Sequence, residues 1–309
     1  MKVANGQITN KKNDGYYVAL GSFDGLHKGH LSLIDKCIEL SKEENCKSMV
    51  FTFSNHPRTI INPSIKIKYL MNNIEKIDIL EKEGIDKVVL KKFNKEFMEL
   101  SPEGFIEKLC NDYNIKGLVV GFNYKFGYKN LGGIDLLKKL SKKYRFRLEV
   151  IEPLLYKDEV ISSTRIRNAI KNGEIVEANK MLTRQYRLSG IVEHGKQIGR
   201  TIGFPTANLK FEENKVIPAK GVYYTNIKWK NNIYKGITSV GSNPTVNGTK
   251  LTIETFILDF NDNIYGDHIV VYFIEKIRDE KRFDSIDCLK KQLDKDEEYA
   301  KSKELAIIM

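Results

Sequence analysis

The sequence predicts an α/β protein in which a parallel sheet with helices is followed by a small β-barrel or sandwich and a terminal helix. In the first half, short β-rich runs alternate with amphipathic helical segments, as is typical of parallel sheets. After about Leu182 the chain changes to β-rich runs punctuated by Gly, Pro and Asn, which indicates a barrel or sandwich. A charged helical pattern follows from about Ser285. We therefore place a boundary between Met181 and Arg184, with domains at 1–183 and 184–309.

The first half is predicted to repeat strand, loop and helix as βα units. The predicted strands are Tyr17–Leu20, Ser48–Phe53, Lys87–Leu90, Gly117–Gly121 and Leu148–Ile151. Between the first two strands, Leu31, Ile34 and Ile38 fall on one face of a helix. Ser101 is expected to cap a later helix whose first residue is Pro102.

The second half is predicted to consist mainly of strands. Its β-rich runs are Arg187–Glu193, Gly221–Trp229, Ile233–Val240, Leu251–Phe260 and Ile269–Ile277. The segment from Gly195 to Asn208 is too irregular to indicate a buried strand. In the terminal helix, we expect Ile286, Leu289 and Leu293 to form the buried face.

Composition limits the class of protein. The 309 residues, of which 41% are hydrophobic, suffice for two domains with a core each. The first residues lack the apolar run of a signal peptide, and no stretch approaches the roughly 20 apolar residues of a membrane span. We expect a cytoplasmic protein with no membrane partner. The four cysteines form no CxxC pair, which argues against a disulfide framework and a zinc site.

The net charge of +11 raises the alternative of a nucleic-acid-binding protein. The lysines are not clustered, however, but are spread over both halves and mixed with 40 acidic residues. No zinc-finger pattern or aromatic RNA-binding pattern accompanies them. We therefore expect no nucleic-acid partner, and note that a positive field also attracts anionic small molecules such as ATP.

A glycine-rich segment with two of the five histidines directly follows the first predicted strand. It reads GSFDGLHKGH and leads into the first predicted helix. The glycines at 21, 25 and 29 allow a tight turn and a close approach of the backbone to a ligand, and a helix N-terminus attracts phosphate. His27 and His30 would add hydrogen-bond donors for charge that develops on an α-phosphate and on departing pyrophosphate.

This segment resembles the HxGH signature of the nucleotidyltransferase superfamily. Its longer form, GxFDGxHxGH, is similar to the segment found in bacterial riboflavin kinase/FAD synthetases. The resemblance implies that His27 and His30 are catalytic. It also implies ATP or phosphate contacts by Gly21, Phe23, Asp24, Gly25 and Gly29. The alternative is a glycine-rich turn with two incidental histidines.

Three further segments resemble the same family and follow in its order. TFSNHPR is similar to TFxxHP, GFNYKFG to GxNFxFG, and ISSTRIR to SSTxIR. The resemblance implies flavin contacts by His56, Pro57, Asn123 and Phe126, and phosphate contacts by Ser162, Ser163, Thr164 and Arg165. The first two segments could instead be loops with an aromatic plug, and the serines could also cap a helix. Ser54 and Asn55 depart from the family pattern, which leaves the shape of that loop open.

The second half contains a comparable segment, GKQIGRTIGFPTAN, which begins at Gly195. It resembles the GRxxGFPTAN segment of riboflavin kinases. Its glycines, Gly195, Gly199 and Gly203, suggest a flap over phosphates. Thr206 and Asn208 alternate along an extended segment, so that their oxygens could point the same way toward a metal ion. The resemblance implies that they help to hold Mg²⁺ bound to ATP.

A carboxylate in the second half is the candidate for accepting a proton from a substrate hydroxyl. Glu254 lies in a strongly β-prone run and matches the catalytic glutamate of the family's ETxxxDF pattern. Without the surrounding motifs, it would be interpreted as an outward-facing strand residue. The family likeness also makes Arg278 and Phe283 candidates for flavin contacts, with a core aromatic as the alternative for Phe283.

Taken together, the resemblance implies a Rossmann-like nucleotidyltransferase domain followed by a small β-barrel kinase domain. The expected substrates are riboflavin, FMN and ATP, with Mg²⁺ as cofactor. The second domain would form FMN and ADP from riboflavin and ATP, and the first would form FAD and pyrophosphate from FMN and ATP. A kinase with an inactive front domain is the alternative within the same family.

Overall fold

The structure is a computed structural model that describes residues 1–4, 15–195, 198–245 and 248–306. The chain forms two compact units, Met1–Ser163 and Thr164–Met309. The boundary expected after residue 183 stays a prediction. The second compact unit begins earlier because the two helices that follow Ser162 form hydrogen bonds with later segments of that unit. Ala219 N donates to Ile170 O at 3.2 Å, and Asn179 Nδ2 donates to Phe273 O at 2.9 Å.

The first unit is a parallel sheet with helices on both faces. Its strands are β1 (Lys2–Ala4), β2 (Gly15–Leu20), β3 (Lys47–Phe53), β4 (Lys87–Lys91), β5 (Asn114–Gly121) and β6 (Arg147–Ile151), with a hairpin of β7 (Leu155–Tyr156) and β8 (Glu159–Val160). Its helices are α1 (Lys28–Glu43), α2 (Pro57–Ile61), α3 (Asn73–Lys82), α4 (Lys95–Met98), α5 (Pro102–Asp112) and α6 (Ile134–Tyr144), with a 3₁₀ turn at Tyr128–Asn130. The five predicted strands are confirmed. The three-residue β1 was missed because it is too short to show a period.

Six parallel strands are ordered β1-β4-β3-β2-β5-β6. One core cluster lies against α1, whose Ile34 and Leu40 are buried, and a second lies against α5 and α6. As predicted, Ser101 caps α5, with its Oγ accepting from Gly104 N at 3.0 Å. From β2 the chain proceeds to β3 on one side, whereas β5 lies on the other side. The carboxyl ends of β2 and β5 therefore form a topological switch point, where ligands bind in sheets of this kind.

The second unit is a closed antiparallel barrel, as predicted. It begins with α7 (Ser163–Asn172), which starts at the last residue of the first unit, and α8 (Ile175–Leu182). The remaining elements are β9 (Tyr186–Glu193), α9 (Ile198–Thr201), β10 (Thr206–Phe211), β11 (Gly221–Trp229), β12 (Asn232–Thr245), β13 (Gly248–Ile257), β14 (His268–Arg278) and α10 (Ile286–Ser302). The strand order is β10-β13-β12-β11-β14-β9, and pairing of β9 with β10 closes the ring.

Two expectations for the second unit are wrong in detail. The segment from Gly195 to Asn208, expected to be too irregular for a buried strand, contains the first three residues of β10, whose pairing with β9 and β13 overrides the weak strand pattern. Ile286 does not belong to the buried face of α10, because its side chain is 66% exposed. The buried residues of this helix are Asp296 and Ala300, since its C-terminal half is the part that contacts the barrel.

A buried ion pair holds α10 to the end of β14. Asp296 is 2% exposed and accepts from Arg278 Nη2 at 2.7 Å and from Arg278 Nε at 3.0 Å. Gln292 Nε2 donates to the same carboxylate at 2.9 Å. The carboxylate is therefore fully engaged inside the protein.

Among the described residues, no helix has the length and apolar character that crossing a membrane requires.

We expect Asp296→Ala to destabilise the second unit by about 3 kcal/mol, because it leaves the Arg278 guanidinium without its buried partner. Glu297→Ala on the same helix is the control, since it removes only the exposed pair with Lys301, worth less than about 1 kcal/mol. Thermal unfolding of the two variants measures the difference. Equal transition temperatures would show that the Arg278–Asp296 pair does not stabilise the barrel.

Candidate functional sites

The loop between β2 and α1 lies at the switch point of the first unit and has an unusual backbone. Phe23 and Leu26 have φ angles of 48° and 37°, in the left-handed region that non-glycine residues rarely adopt. Gly25 has a φ of 89°, which only glycine adopts at no steric cost. Each strained non-glycine residue costs about 1 to 3 kcal/mol, so the surrounding structure must hold the loop in place.

Hydrogen bonds from four residues outside the loop anchor it. The carbonyl oxygen of Ser22 accepts from Thr52 Oγ1 at 3.1 Å and from Lys76 Nζ at 3.0 Å. The buried carboxylate of Asp24 accepts from Leu70 N at 3.1 Å. The carbonyl oxygen of Asp24 accepts from Ser163 Oγ at 2.8 Å, which joins the SSTRIR segment to the loop. The observed contact of the Asp24 carboxylate is with the backbone of Leu70, and its phosphate-binding role stays a prediction.

His27 and His30 lie together at the start of α1. Their rings stack with centroids 3.6 Å apart and an interplanar angle of 18°. The rings of Phe23 and His30 form a T-shaped pair with centroids 5.3 Å apart. His27 occupies the N-cap position and is 5% exposed. The first turn of α1 contains no acidic residue, so its positive dipole end is not offset locally. Two imidazoles and a helix N-terminus therefore converge where the resemblance places the phosphates.

The other predicted phosphate contacts of this half lie in several elements. Gly21 follows β2 and Gly29 lies in the first turn of α1, with the carbonyl of Ile161 near the position that a Cβ would occupy. Ser162 and Ser163 end the first unit. Thr164 and Arg165 lie in the first turn of α7 and belong to the second unit. The roles of these six residues stay predictions.

The predicted flavin contacts of the first unit differ in exposure. His56 caps α2, with its Nδ1 accepting from Arg58 N at 3.2 Å, and Pro57 is the first helical residue. Asn123 is exposed, whereas Phe126 is buried and packs against Phe105 with ring centroids 6.0 Å apart. The aromatic-plug alternative thus describes the observed packing of Phe126, and its contact with flavin stays a prediction.

In the second unit, strand register brings three predicted residues onto one face. Thr206 and Asn208 are two residues apart on β10, so their side chains point the same way. Asn208 lies directly opposite Glu254 of β13. Thr206 Oγ1 is 3.4 Å from Glu254 Oε2, and Glu254 is only half-buried. A hydroxyl, an amide and a carboxylate therefore line one surface of the barrel.

The glycine-rich segment before β10 contacts this surface. A Cβ at Gly195 would lie 2.2 Å from Asn208 Nδ2, so any larger residue there would displace the Asn208 amide. Gly199 O accepts from Phe204 N at 2.8 Å, and Gly203 has a φ of 89°. The segment therefore folds back tightly between Gly199 and Phe204. Lys196 and Gln197 lie outside the described residues.

The two predicted flavin contacts at the end of the barrel lie together. The guanidinium carbon of Arg278 is 5.9 Å from the ring centroid of Phe283. Because Arg278 directs Nε and Nη2 to Asp296, and Nη1 donates to Asp279 O at 3.2 Å, its observed contacts are within the protein. Its contact with flavin, like that of Phe283, stays a prediction.

Sequence reasoning missed Lys76, Tyr69 and Leu70 as parts of the first site. Lys76 is buried, and burial lowers its pKa to about 8, while the nearby Asp24 carboxylate opposes the shift. Tyr69 OH accepts from His56 N at 3.2 Å. No motif marks these residues, since a lysine on an amphipathic helix is ordinarily exposed. Only the folded chain shows that Lys76 points inward.

Comparison with known proteins gives matches over both halves. The family model described as FAD synthetase matches residues 9–165, and the model described as riboflavin kinase matches residues 182–303. A bifunctional riboflavin kinase/FMN adenylyltransferase from Haemophilus influenzae is 37% identical over 295 residues, which cover 95% of this chain and 96% of that protein. One of the same name from Listeria monocytogenes is 35% identical, with 91% and 90% covered.

The fold of the whole chain is matched by a solved structure. A crystal structure titled as a macrolide-efflux protein from Streptococcus pneumoniae superposes with a TM-score of 0.90. The two sequences are 33% identical, and the match covers 98% of this chain and 99% of that chain.

Proposed function

Because the chain belongs to the family of bifunctional riboflavin kinase/FMN adenylyltransferases, we propose that its barrel phosphorylates riboflavin and its parallel-sheet unit adenylylates the resulting FMN. The observation that supports this most directly is that each unit groups the polar side chains its reaction needs. The first holds the stacked pair of His27 and His30 at a helix N-terminus. The second holds Thr206, Asn208 and Glu254 on one face of the barrel.

In the kinase reaction, Glu254 is the proton acceptor. The terminal ribityl hydroxyl attacks the γ-phosphorus of ATP, its proton passes to the Glu254 carboxylate, and the bond to the departing ADP breaks. The half-exposed position of Glu254 allows a substrate hydroxyl to reach it. The turn from Gly199 to Phe204 would lie over the phosphates and exclude water.

Both families use ATP, generally with a divalent metal ion, and we propose Mg²⁺ for the barrel. The Thr206 hydroxyl and the Asn208 amide oxygen are hard, neutral donors, which suit Mg²⁺ that keeps phosphate oxygens and water as its other ligands. They fit the ion because both lie on the face that carries Glu254. When bound, the ion would offset the negative charge of the triphosphate.

In the adenylylation reaction, no proton acceptor is required. A phosphate oxygen of FMN attacks the α-phosphorus of ATP, and the bond between the α- and β-phosphates breaks to release pyrophosphate. His27 and His30 would donate hydrogen bonds to the charge that develops on these oxygens. The helix N-terminus of α1 adds a fixed positive dipole end. Arg165 would hold the leaving pyrophosphate through charge-assisted hydrogen bonds.

The alternative of a kinase with an inactive front unit makes a different prediction for the products. If both units are active, incubation of the protein with riboflavin, ATP and Mg²⁺ yields FAD, and incubation with FMN and ATP does so as well. Accumulation of FMN without FAD would be consistent with the kinase reaction and would exclude adenylylation by this protein. We favour two active units because the first unit has both the stacked pair of His27 and His30 and a loop between β2 and α1 that Lys76 holds in place.

We expect Glu254→Gln to lower riboflavin phosphorylation by at least about 100-fold, because the amide cannot accept the hydroxyl proton. Formation of FAD from supplied FMN should stay at the wild-type rate, since that reaction belongs to the other unit. Chromatography of the flavin products measures both reactions on one preparation. A kinase rate close to that of the wild type would exclude Glu254 as the proton acceptor.

The double variant His27→Ala with His30→Ala is expected to show the opposite pattern. FAD formation from FMN should fall by at least about 100-fold, because donors to the transition-state charge are lost. Riboflavin phosphorylation serves as the internal control for folding and should be unchanged. An equal loss of both activities in a folded protein would contradict two independent sites.

We expect Asn208→Ala to raise the Mg²⁺ concentration for half-maximal kinase activity by at least about tenfold, because a metal ligand is lost. The measurement is a Mg²⁺ titration at fixed ATP. The Mg²⁺ requirement of the adenylylation reaction, measured on the same variant, should not change. An unaltered requirement in the kinase reaction would exclude Asn208 as a ligand.

A further inference from the structure

Lys76 is a buried cation beside the candidate adenylylation site and is not among the residues with a proposed role. It lies in the first half of α3, and its side chain is 5% exposed. The start of α3 is held by a reciprocal capping box in which Glu75 N donates to Asn72 Oδ1 and Asn72 N donates to Glu75 Oε2, each at 2.9 Å. The capping box therefore fixes the backbone that carries Lys76, and this backbone directs the Lys76 side chain into the protein.

The ammonium group of Lys76 contacts the backbone of the loop between β2 and α1. Its Nζ donates to Ser22 O at 3.0 Å, and Thr52 Oγ1 donates to the same oxygen at 3.1 Å. Ser22 directly precedes Phe23, whose φ of 48° is the first of the two strained non-glycine conformations in the loop. Two donors from different elements thus fix the peptide plane at the point where the backbone enters the strained turn.

The turn determines where His27 and His30 lie. Phe23 is fully buried, and its ring forms a T-shaped pair with that of His30, with centroids 5.3 Å apart. His27 follows Leu26, the second strained residue, and begins α1. A loop released at Ser22 would relax toward ordinary φ values, and the stacked imidazoles would lose the support of Phe23. A displacement of about 1 Å in such a site is enough to lower a rate by about 100-fold.

We propose that Lys76 is a positioning residue for adenylyl transfer, holding the Ser22 carbonyl so that the strained turn presents His27 and His30 to the phosphates. This inference rests on the proposed adenylylation function of the first unit. Lys76 need not contact the substrate, since its amino group is already bonded to the loop. Its positive charge also lies close to a loop that would bind anionic phosphates, and this charge favours the binding of ATP.

Asp24 is the charged group that faces Lys76 from the loop, whereas Glu75, its neighbour on α3, is engaged in the capping box. Burial lowers the pKa of Lys76 to about 8, and Asp24 opposes this shift. Lys76 is therefore protonated at neutral pH and loses its charge as the pH rises above about 8. A neutral amine donates a weaker hydrogen bond, so the hold on Ser22 weakens in the alkaline range.

The test compares Lys76→Met, Lys76→Arg and Lys82→Met in the full-length protein. Lys82→Met is the matched control, because Lys82 lies on the same helix and is exposed. Steady-state FAD formation from FMN and ATP is measured between pH 6.5 and 9.5, and riboflavin phosphorylation by the same preparation reports on folding. Failure of the wild-type protein to form FAD from FMN would overturn the proposed function itself, before any variant is measured.

We expect Lys76→Met to lower kcat for FAD formation by about 10- to 100-fold, corresponding to loss of one charged hydrogen bond, with a smaller change in KM. Riboflavin phosphorylation and the Lys82→Met variant should match the wild type. The wild-type adenylylation rate should fall above pH about 8, and Lys76→Arg should remove this fall because a guanidinium keeps its charge there. Lys76→Met activity within twofold of Lys82→Met would overturn the proposal.

The Arg variant keeps the proposal testable if Lys76→Met does not fold. An alkaline fall that persists unchanged in an active Lys76→Arg protein would show that another group titrates and would also overturn it. Loss of the alkaline fall in the adenylylation rate of Lys76→Arg, with an unchanged pH profile of riboflavin phosphorylation, would support a positioning role for the charge on Lys76.

Discussion

The strained turn between β2 and α1 is the constraint on which the first unit depends. Two non-glycine residues with positive φ are unfavourable in isolation, so contacts from outside the loop must hold them. Those contacts come from Thr52 at the end of β3, from Lys76 on α3 and from Leu70 before that helix. The parallel sheet brings these elements to one edge, because the carboxyl ends of neighbouring parallel strands lie on the same side.

A different constraint, strand register, organises the barrel. Antiparallel pairing places Asn208 opposite Glu254, and the two-residue period of β10 puts Thr206 on the same face. A shift by one residue would turn every one of these side chains to the other face of the strand. Closure of the ring through β9 and β10 removes the free edges at which such a shift could begin.

The two units use buried charge in different ways. Arg278 and Asp296 form a direct pair that fastens α10 to β14, so each charge is compensated at hydrogen-bond distance. Lys76 bonds to a neutral carbonyl, and the nearby Asp24 carboxylate opposes the lowering of its pKa by burial. A positive charge of this kind is useful beside a site for polyphosphate and is costly elsewhere in a protein interior.

The sequence alone determined the βα alternation, the barrel, the family and the two motif-bearing segments, because strand and helix periods, glycine spacing and capping residues are local properties of the chain. Ser101, for example, caps its helix as predicted. The tertiary structure decided which distant residues meet. Lys76 reaches a carbonyl 54 residues away, Phe126 enters the core, and Ile286 is exposed where a buried helix face was expected. Burial and contact depend on the elements that pack against a side chain, and no local pattern contains that information.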